Sequence, residues 1–308
     1  MEIKHFLRSL KRTIGFFALK FFSFVMFLIP SSGLKPLADI ISKIGFLAAG
    51  KIRNIAKNSL ELAFEDSLTK AEKDKIAKDS FRYMVEGGFE LLYCIEHPEY
   101  INQIVDIKGK DHLDEALSHN RGVIAVTAHF GNFPIMQFRL AQAGYNVNSI
   151  IRHMRDKMAD EYFLRKRNKV GVKTIYTEPR STCVLQSARS LKGNEVLFIL
   201  LDQNFGTGGV FVDFFGKKAA TATGPIILAQ RTKAVIMPMF IVHNNQGRHT
   251  LFIEPEFKLE ENDNKEKTIL LNIQRLTGII EKYIRQYPAE WSWIHRRWKT
   301  RPKPAGNI

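Results

Sequence analysis

Cysteine is nearly absent: Cys94 and Cys183 are the only two in 308 residues, each inside an apolar helical pattern and neither near a second ligand type at metal spacing. Neither a disulfide framework nor a zinc site is indicated, and a reducing, cytoplasm-facing compartment fits such usage. Acidic residues are also scarce, 31 against 46 lysines and arginines, so the formal net charge is +15 and the pI about 9.7. An anionic partner is expected, whether nucleic acid, anionic lipid or a phosphorylated substrate, and charge alone does not choose among them. No Walker pattern and no GxGxxG is present, and no nucleic-acid module is recognisable. The most telling absence is local. From Ala116 to Arg155 there is no Asp and no Glu, although His129 sits in "VTAHFGNFPIMQ" (126–137) where a catalytic histidine would want a carboxylate to orient it.

With 45% of residues hydrophobic, the chain can bury the core of one large domain carrying an N-terminal appendage. Residues 3–29 open with Lys4, Arg8, Lys11 and Arg12 and continue into a Phe-rich run from Ile14 to Ile29, broken by Lys20 and Ser23. A helix over those 16 residues is roughly 24 Å long, a marginal span of a ~30 Å hydrocarbon core. A cleaved signal peptide competes, but Ile29-Pro30-Ser31-Ser32 is a poor cleavage site. The expectation is an uncleaved membrane anchor over residues 1–32, its positive flank cytoplasmic, followed by one domain over 33–308.

Pro30-Ser31-Ser32-Gly33 ends the first helix, and a second apolar-basic segment runs from Leu34 to about Leu62. Thr69 with Glu72 has capping-box spacing, and Ile76, Phe81, Met84, Val85, Phe89 and Leu92 then fall on one helical face expected to be core. From about Val105 the pattern changes. β-rich runs at 122–128, 146–151, 172–176, 195–201 and 234–242 alternate with helical segments near 111–119, 132–143, 157–169, 181–192 and 224–232. Residues 246–258 read as a further strand or hairpin, and 264–286 as an amphipathic helix. Such alternation predicts an α/β fold, a mostly parallel central sheet flanked by helices. Sites in open α/β sheets form beyond the carboxyl ends of strands, and His129, Arg152 and Asp202 all lie just past such ends.

Asn132 is a plausible N-cap, which puts Pro134 in the first helical turn and aims backbone N–H groups at the space His129 faces. An imidazole there could take a proton from a hydroxyl attacking an acyl carbonyl; a histidine merely satisfied at a strand end stays an equal reading. Arg152 could clamp a phosphate or an oxyanion, or be a solvated arginine. Asp202 and Gln203 open a Gly-rich loop, followed by an apolar "VFVDFFG" and a Thr-Gly-Pro helix entry. At the C-terminus, Trp291, Trp293 and Trp298 interleave with His295, Arg296, Arg297, Lys299 and Arg301. That interleaving suits nucleic acid or a membrane interface, and the N-terminal segment favours membrane.

Four stretches, "IAKNSLELAFEDSLTKAEKDKIAKDSFRYM" (55–84), "AHFGNF" (128–133), "DQNFGTGGVFVDFFGKKAATATGP" (202–225) and "WIHRRWKTRP" (293–302), carry a family resemblance over nearly the whole chain. The sequence resembles the late acyltransferases of lipid A biosynthesis, the lauroyl/myristoyl transferase family of Gram-negative bacteria, which includes relatives acylating other glycolipids. The resemblance implies a glycerolipid acyltransferase-like α/β domain at the cytoplasmic face of the inner membrane. It implies an acyl thioester donor, on acyl carrier protein or coenzyme A, a phosphorylated glycolipid acceptor, and no metal or organic cofactor. By position His129 matches the family's catalytic histidine, Arg152 its substrate-binding arginine, and Asp202-Gln203 its later acidic motif. The resulting site is His129 and Asp202 as catalytic residues, with Gly131, Asn132, Arg152, Gln203, Arg296 and Arg297 as substrate contacts.

One position departs from the family. Its motif sets an Asp or Glu five residues after the histidine, and here that place is Pro134. Losing such a carboxylate can cost orders of magnitude in rate. Asp202 is the best candidate to supply it from elsewhere, with Glu290 or Asp213 behind it; otherwise His129 works alone on a backbone carbonyl, or the protein binds lipid without catalysis. The acceptor is then open to being a lysophospholipid or a glycolipid other than lipid A. A nucleic-acid binder is the remaining alternative, which strongly salt-dependent affinity would support.

Overall fold

A computed structural model describes residues 2–244 and 247–302, with side chains from residue 13 onward. Residue 246 of the expected later strand, the end of the expected domain at 303–308, and the side chains of Lys4, Arg8, Lys11 and Arg12 lie outside the described residues.

Four long helices come first: α1 (Glu2–Leu28), α2 (Leu34–Ala48), α3 (Gly50–Phe64) and α4 (Lys70–Glu96). The capping box at Thr69 and Glu72 starts α4, both of its hydrogen bonds being formed. The segment 34–62 is two helices, because the backbone breaks at Ala49 (φ −87°, ψ 48°). Among the described residues no helix is long and apolar enough to cross a membrane, which corrects the expected spanning anchor. Instead α1 lies against the domain on one face: Phe22 packs edge-on against Phe89 of α4, and Ser23 donates to Glu96 at 2.8 Å. Its other face leaves Ile14, Phe17, Phe21, Phe24 and Leu28 more than half exposed, a stripe at helical spacing. On α2, Ile40, Ile44 and Leu47 are exposed in the same way.

The short α5 (Ile101–Ile104) leads into the α/β part, which contains β1 (Val105–Lys108), α6 (Lys110–Ser118), β2 (Val123–Thr127), α7 (Phe133–Gln142), β3 (Val147–Ile151), α8 (Lys157–Lys169), β4 (Val172–Tyr176), α9 (Arg180–Lys192), β5 (Val196–Leu200), β6 (Val210–Phe214), β7 (Lys217–Thr221), α10 (Gly224–Thr232), β8 (Val235–His243), β9 (His249–Ile253) and α11 (Lys265–Gln286). Among the described residues these strands make a seven-stranded sheet ordered β1-β9-β8-β2-β5-β3-β4, in which only β8 and β9 pair antiparallel, and a separate β6-β7 hairpin. The expected parallel-centred α/β sheet is therefore present. β2, at its centre, is buried along its whole length, as a parallel strand covered on both faces must be. Its alternate residues serve two cores: Ile124 and Val126 join α10, α11 and the tryptophans on one side, while Val123 and Ala125 join α5 and α7 on the other.

The tryptophans are not at a membrane interface. Trp291 and Trp293 are fully buried and Trp298 nearly so, and each indole N–H has an internal acceptor, Asp202, the Pro288 carbonyl and the Phe214 carbonyl in turn.

Candidate active site

β2 and β5 are adjacent and parallel, with Val123 opposite Val196 and Thr127 opposite Leu200. Continuing that register two residues past each strand end sets His129 beside Asp202. Their side chains meet there: His129 Nδ1 lies 2.9 Å from Asp202 Oδ1. Asp202 Oδ2 accepts two more bonds, from the His129 backbone N–H at 3.0 Å and from Trp291 Nε1–H at 2.8 Å. Burial opposes ionisation of this carboxyl, but the His129 imidazole beside it and these N–H donors outweigh burial and hold it down to about 2. A carboxylate can only accept, so Nδ1 of His129 donates to it, and in the neutral ring Nε2 is then the atom with the lone pair. Nε2 faces the side-chain amide of Gln203 at 2.9 Å, and the same amide lies 3.1 Å from Nε2 of His295. Burial and the neighbouring His129 push the His295 imidazole below its usual range.

The loop after β2 is held from behind. Trp291 pairs with Phe130 as an isolated antiparallel bridge, Ser292 N–H donates to the His129 carbonyl, and Gly131 N–H donates to the Glu290 carbonyl. Gly131 sits at φ 54°, where a Cβ would lie 2.0 Å from the Ile241 carbonyl oxygen; only glycine fits there. Asn132 is buried and donates to the Gly87 carbonyl and to Glu90 on α4 at 2.9 Å.

In front of His129 opens a cleft of about 310 Å³ between α4 and α7, its walls including Met84, Leu91, Phe133, Pro134 and Ile294. Pro134 is thus part of an apolar wall. A mostly apolar cleft with one held imidazole suits an acyl chain whose reactive end meets a proton acceptor.

The other expected contacts divide. Gln203 is at the dyad. Gly131 and Asn132 shape the loop, with the Gly131 N–H and the Asn132 side-chain amide bonded inside the protein. Arg152 is exposed in a separate depression with His153, Arg155 and Glu178, two strand spacings or roughly 10 Å across the sheet from β2. Arg296 is exposed on the surface. Arg297 is not available to a substrate: fully buried, it donates to the Gln203 and Ala220 carbonyls and to Thr221, with burial lowering its pKa to about 10. Glu290 is engaged with His243, and Asp213 with Lys218, which leaves Asp202 as the carboxylate that reaches His129. His295 and Trp291 are site residues that the sequence pattern grouped only as part of an aromatic-basic tail.

The model of the bacterial lipid A biosynthesis acyltransferases matches residues 3–300. The chain belongs to that family. It is 27% identical over 280 residues to a lipid A biosynthesis palmitoleoyltransferase of Escherichia coli K12, covering 85% of this chain and 84% of the relative. It is 25% identical over 194 residues to a phosphatidylinositol mannoside acyltransferase of Mycobacterium tuberculosis, covering 62% and 59%. The crystal structure of a 1-acyl-sn-glycerophosphate acyltransferase from Thermotoga maritima aligns over 82% of this chain and 95% of that one at 14% identity, with a TM-score of only 0.37. The protein is an acyltransferase of this family, and where its motif has Pro134 in place of a carboxylate, Asp202 just past the neighbouring strand reaches His129.

Proposed function

We propose that this acyltransferase moves a fatty acyl chain from a thioester, on acyl carrier protein or coenzyme A, to a hydroxyl of a phosphorylated glycolipid, with His129 as general base. The observation that carries the reading is the Asp202–His129 pair, 2.9 Å apart, with His129 lining the cleft. The acceptor hydroxyl loses its proton to Nε2 as its oxygen attacks the thioester carbonyl; the tetrahedral intermediate collapses, expels the thiolate, and the imidazolium returns the proton to sulfur. Asp202 stabilises the imidazolium meanwhile. Arg152 and Arg155, at the same edge of the sheet and exposed, are suited to an acceptor phosphate. The exposed apolar stripe of α1 and the apolar residues of α2 support a protein lying in a membrane surface, an interfacial seat in place of a span; the cytoplasmic face of the bacterial inner membrane is the location this reading takes.

The test is thiol release from acyl carrier protein and from acyl-CoA, with lipid A precursors, lysophospholipids and other phosphorylated glycolipids as acceptors. Acceptor-dependent release that is abolished in His129→Ala, with the fold intact, is expected. Full activity in that variant would remove His129 from the chemistry, and no release with any acceptor would favour a lipid-binding role.

A further inference from the structure

Behind the cleft wall lies a second cluster. We propose that Glu90, His243 and His249 bind a divalent transition-metal ion of zinc's class between α4 and the β8–β9 hairpin. His243 ends β8, His249 begins β9, and the two are direct partners in the antiparallel register, so both imidazoles leave the same face with ring centroids 4.2 Å apart. Glu90 faces them from α4. One ligand atom from each of the three residues lies within 4.8 Å of the others.

The surroundings are those of a metal site. Nδ1 of His243 is held by the Glu290 carboxylate at 2.9 and 3.0 Å, the carboxylate–histidine pairing that orients metal-binding imidazoles. That leaves Nε2 of His243 buried and without a partner among the described residues, and an unsatisfied buried nitrogen costs about 1–3 kcal/mol. His249 Nε2 and Glu90 Oε2 are 2.9 Å apart, near the roughly 3.3 Å separating two ligands of one tetrahedral zinc ion. Asn132 fixes the same Glu90 oxygen from the other side. Two imidazoles and one carboxylate form a donor set that suits zinc over magnesium or calcium. The ion would join α4 to the hairpin and, through Asn132 and Glu290, brace the loop that carries His129; Glu90, His243 and His249 do not line the cleft, so it acts as a clamp and takes no part in acyl transfer.

Untagged full-length protein in detergent, stripped with a chelator, is titrated with zinc against a chromophoric chelator and with cobalt(II) by absorption, beside Glu90→Gln and His249→Gln. About one equivalent of either metal is expected, with a rise in melting temperature on zinc addition, and each variant should bind at least about tenfold more weakly. Absence of zinc and cobalt binding in the stripped wild type, or binding unchanged in Glu90→Gln, overturns the site. Should the variants not fold, histidine-nitrogen NMR of the wild type decides: zinc must shift two imidazoles, and unchanged spectra overturn it. No readout involves turnover, so failure here leaves the acyl-transfer reading untouched.

Discussion

Replacing Asp202 with asparagine should lower turnover by about 10³–10⁴-fold, as in other histidine–carboxylate pairs, while leaving the fold nearly intact. The reasoning is a count of donors. Asp202 Oδ2 faces two N–H groups, from the His129 backbone and Trp291, and Oδ1 faces one, on His129 Nδ1. An asparagine that keeps its carbonyl on the two N–H donors presents its NH₂ to Nδ1, which must then become an acceptor, and the ring proton moves to Nε2. The flipped amide would preserve the tautomer but set an NH₂ against two buried N–H groups, at a cost of about 1–3 kcal/mol for each unsatisfied donor. The first arrangement wins, and the lone pair on Nε2 is lost. The assay is thiol release at saturating acceptor, with KM for the acyl donor measured in parallel and folding followed by circular dichroism. A folded variant within tenfold of wild-type kcat would refute the orienting role of Asp202.

Acid stability should follow the same residue. Because folding lowers the Asp202 carboxyl from an ordinary 3.8 to about 2, its contribution, on the order of 2 kcal/mol, is fully present above pH 3.8 and fades as pH falls from there through 2; urea unfolding between pH 5 and pH 2 should show this slope in wild type and not in Asp202→Asn. Gly131→Ala should lose activity and roughly 3 kcal/mol or more of stability, since its Cβ meets the Ile241 carbonyl at 2.0 Å; an unchanged melting temperature would contradict the close approach. Paired substitutions Phe17→Ser and Phe21→Ser, both more than half exposed on α1, should weaken flotation with anionic vesicles by about tenfold or more without changing the melting temperature, and undiminished flotation would count against an interfacial α1.

The sheet was legible because its strands repeat short apolar runs between helical stretches: the helix expected at 224–232 matches α10, and β2, β3, β4, β5 and β8 fall inside or within one residue of their expected runs. β1 and the β6-β7 hairpin escaped, the first being four residues long with a charged alternate face, the second carrying Lys217 and Lys218 in an exposed strand start. At the site, His129 and Asp202 could be named from strand ends, but not their register, because adjacency of β2 and β5 depends on a crossover no local pattern records. Arg297 was misleading for a physical reason: beside arginines at the surface, a buried guanidinium serving two backbone carbonyls looks identical in sequence. Trp291 was hidden likewise, since burial and exposure at a lipid headgroup both suit an indole with one polar edge.

With the orienting carboxylate past the end of β5 and a proline at 134, the wall of the cleft and the group that holds His129 belong to different elements. A carboxylate at position 134 would tie the base to the helix that lines the cleft, so each adjustment of that helix to an acyl chain would also turn the imidazole. Here Pro134 lines the cleft and Asp202 holds the His129 imidazole, just past a strand bonded to β2 along five residue pairs. The α7 wall and the orienting carboxylate are mechanically separate: substitutions in α7 can reshape the cleft while Asp202 keeps its hold on His129.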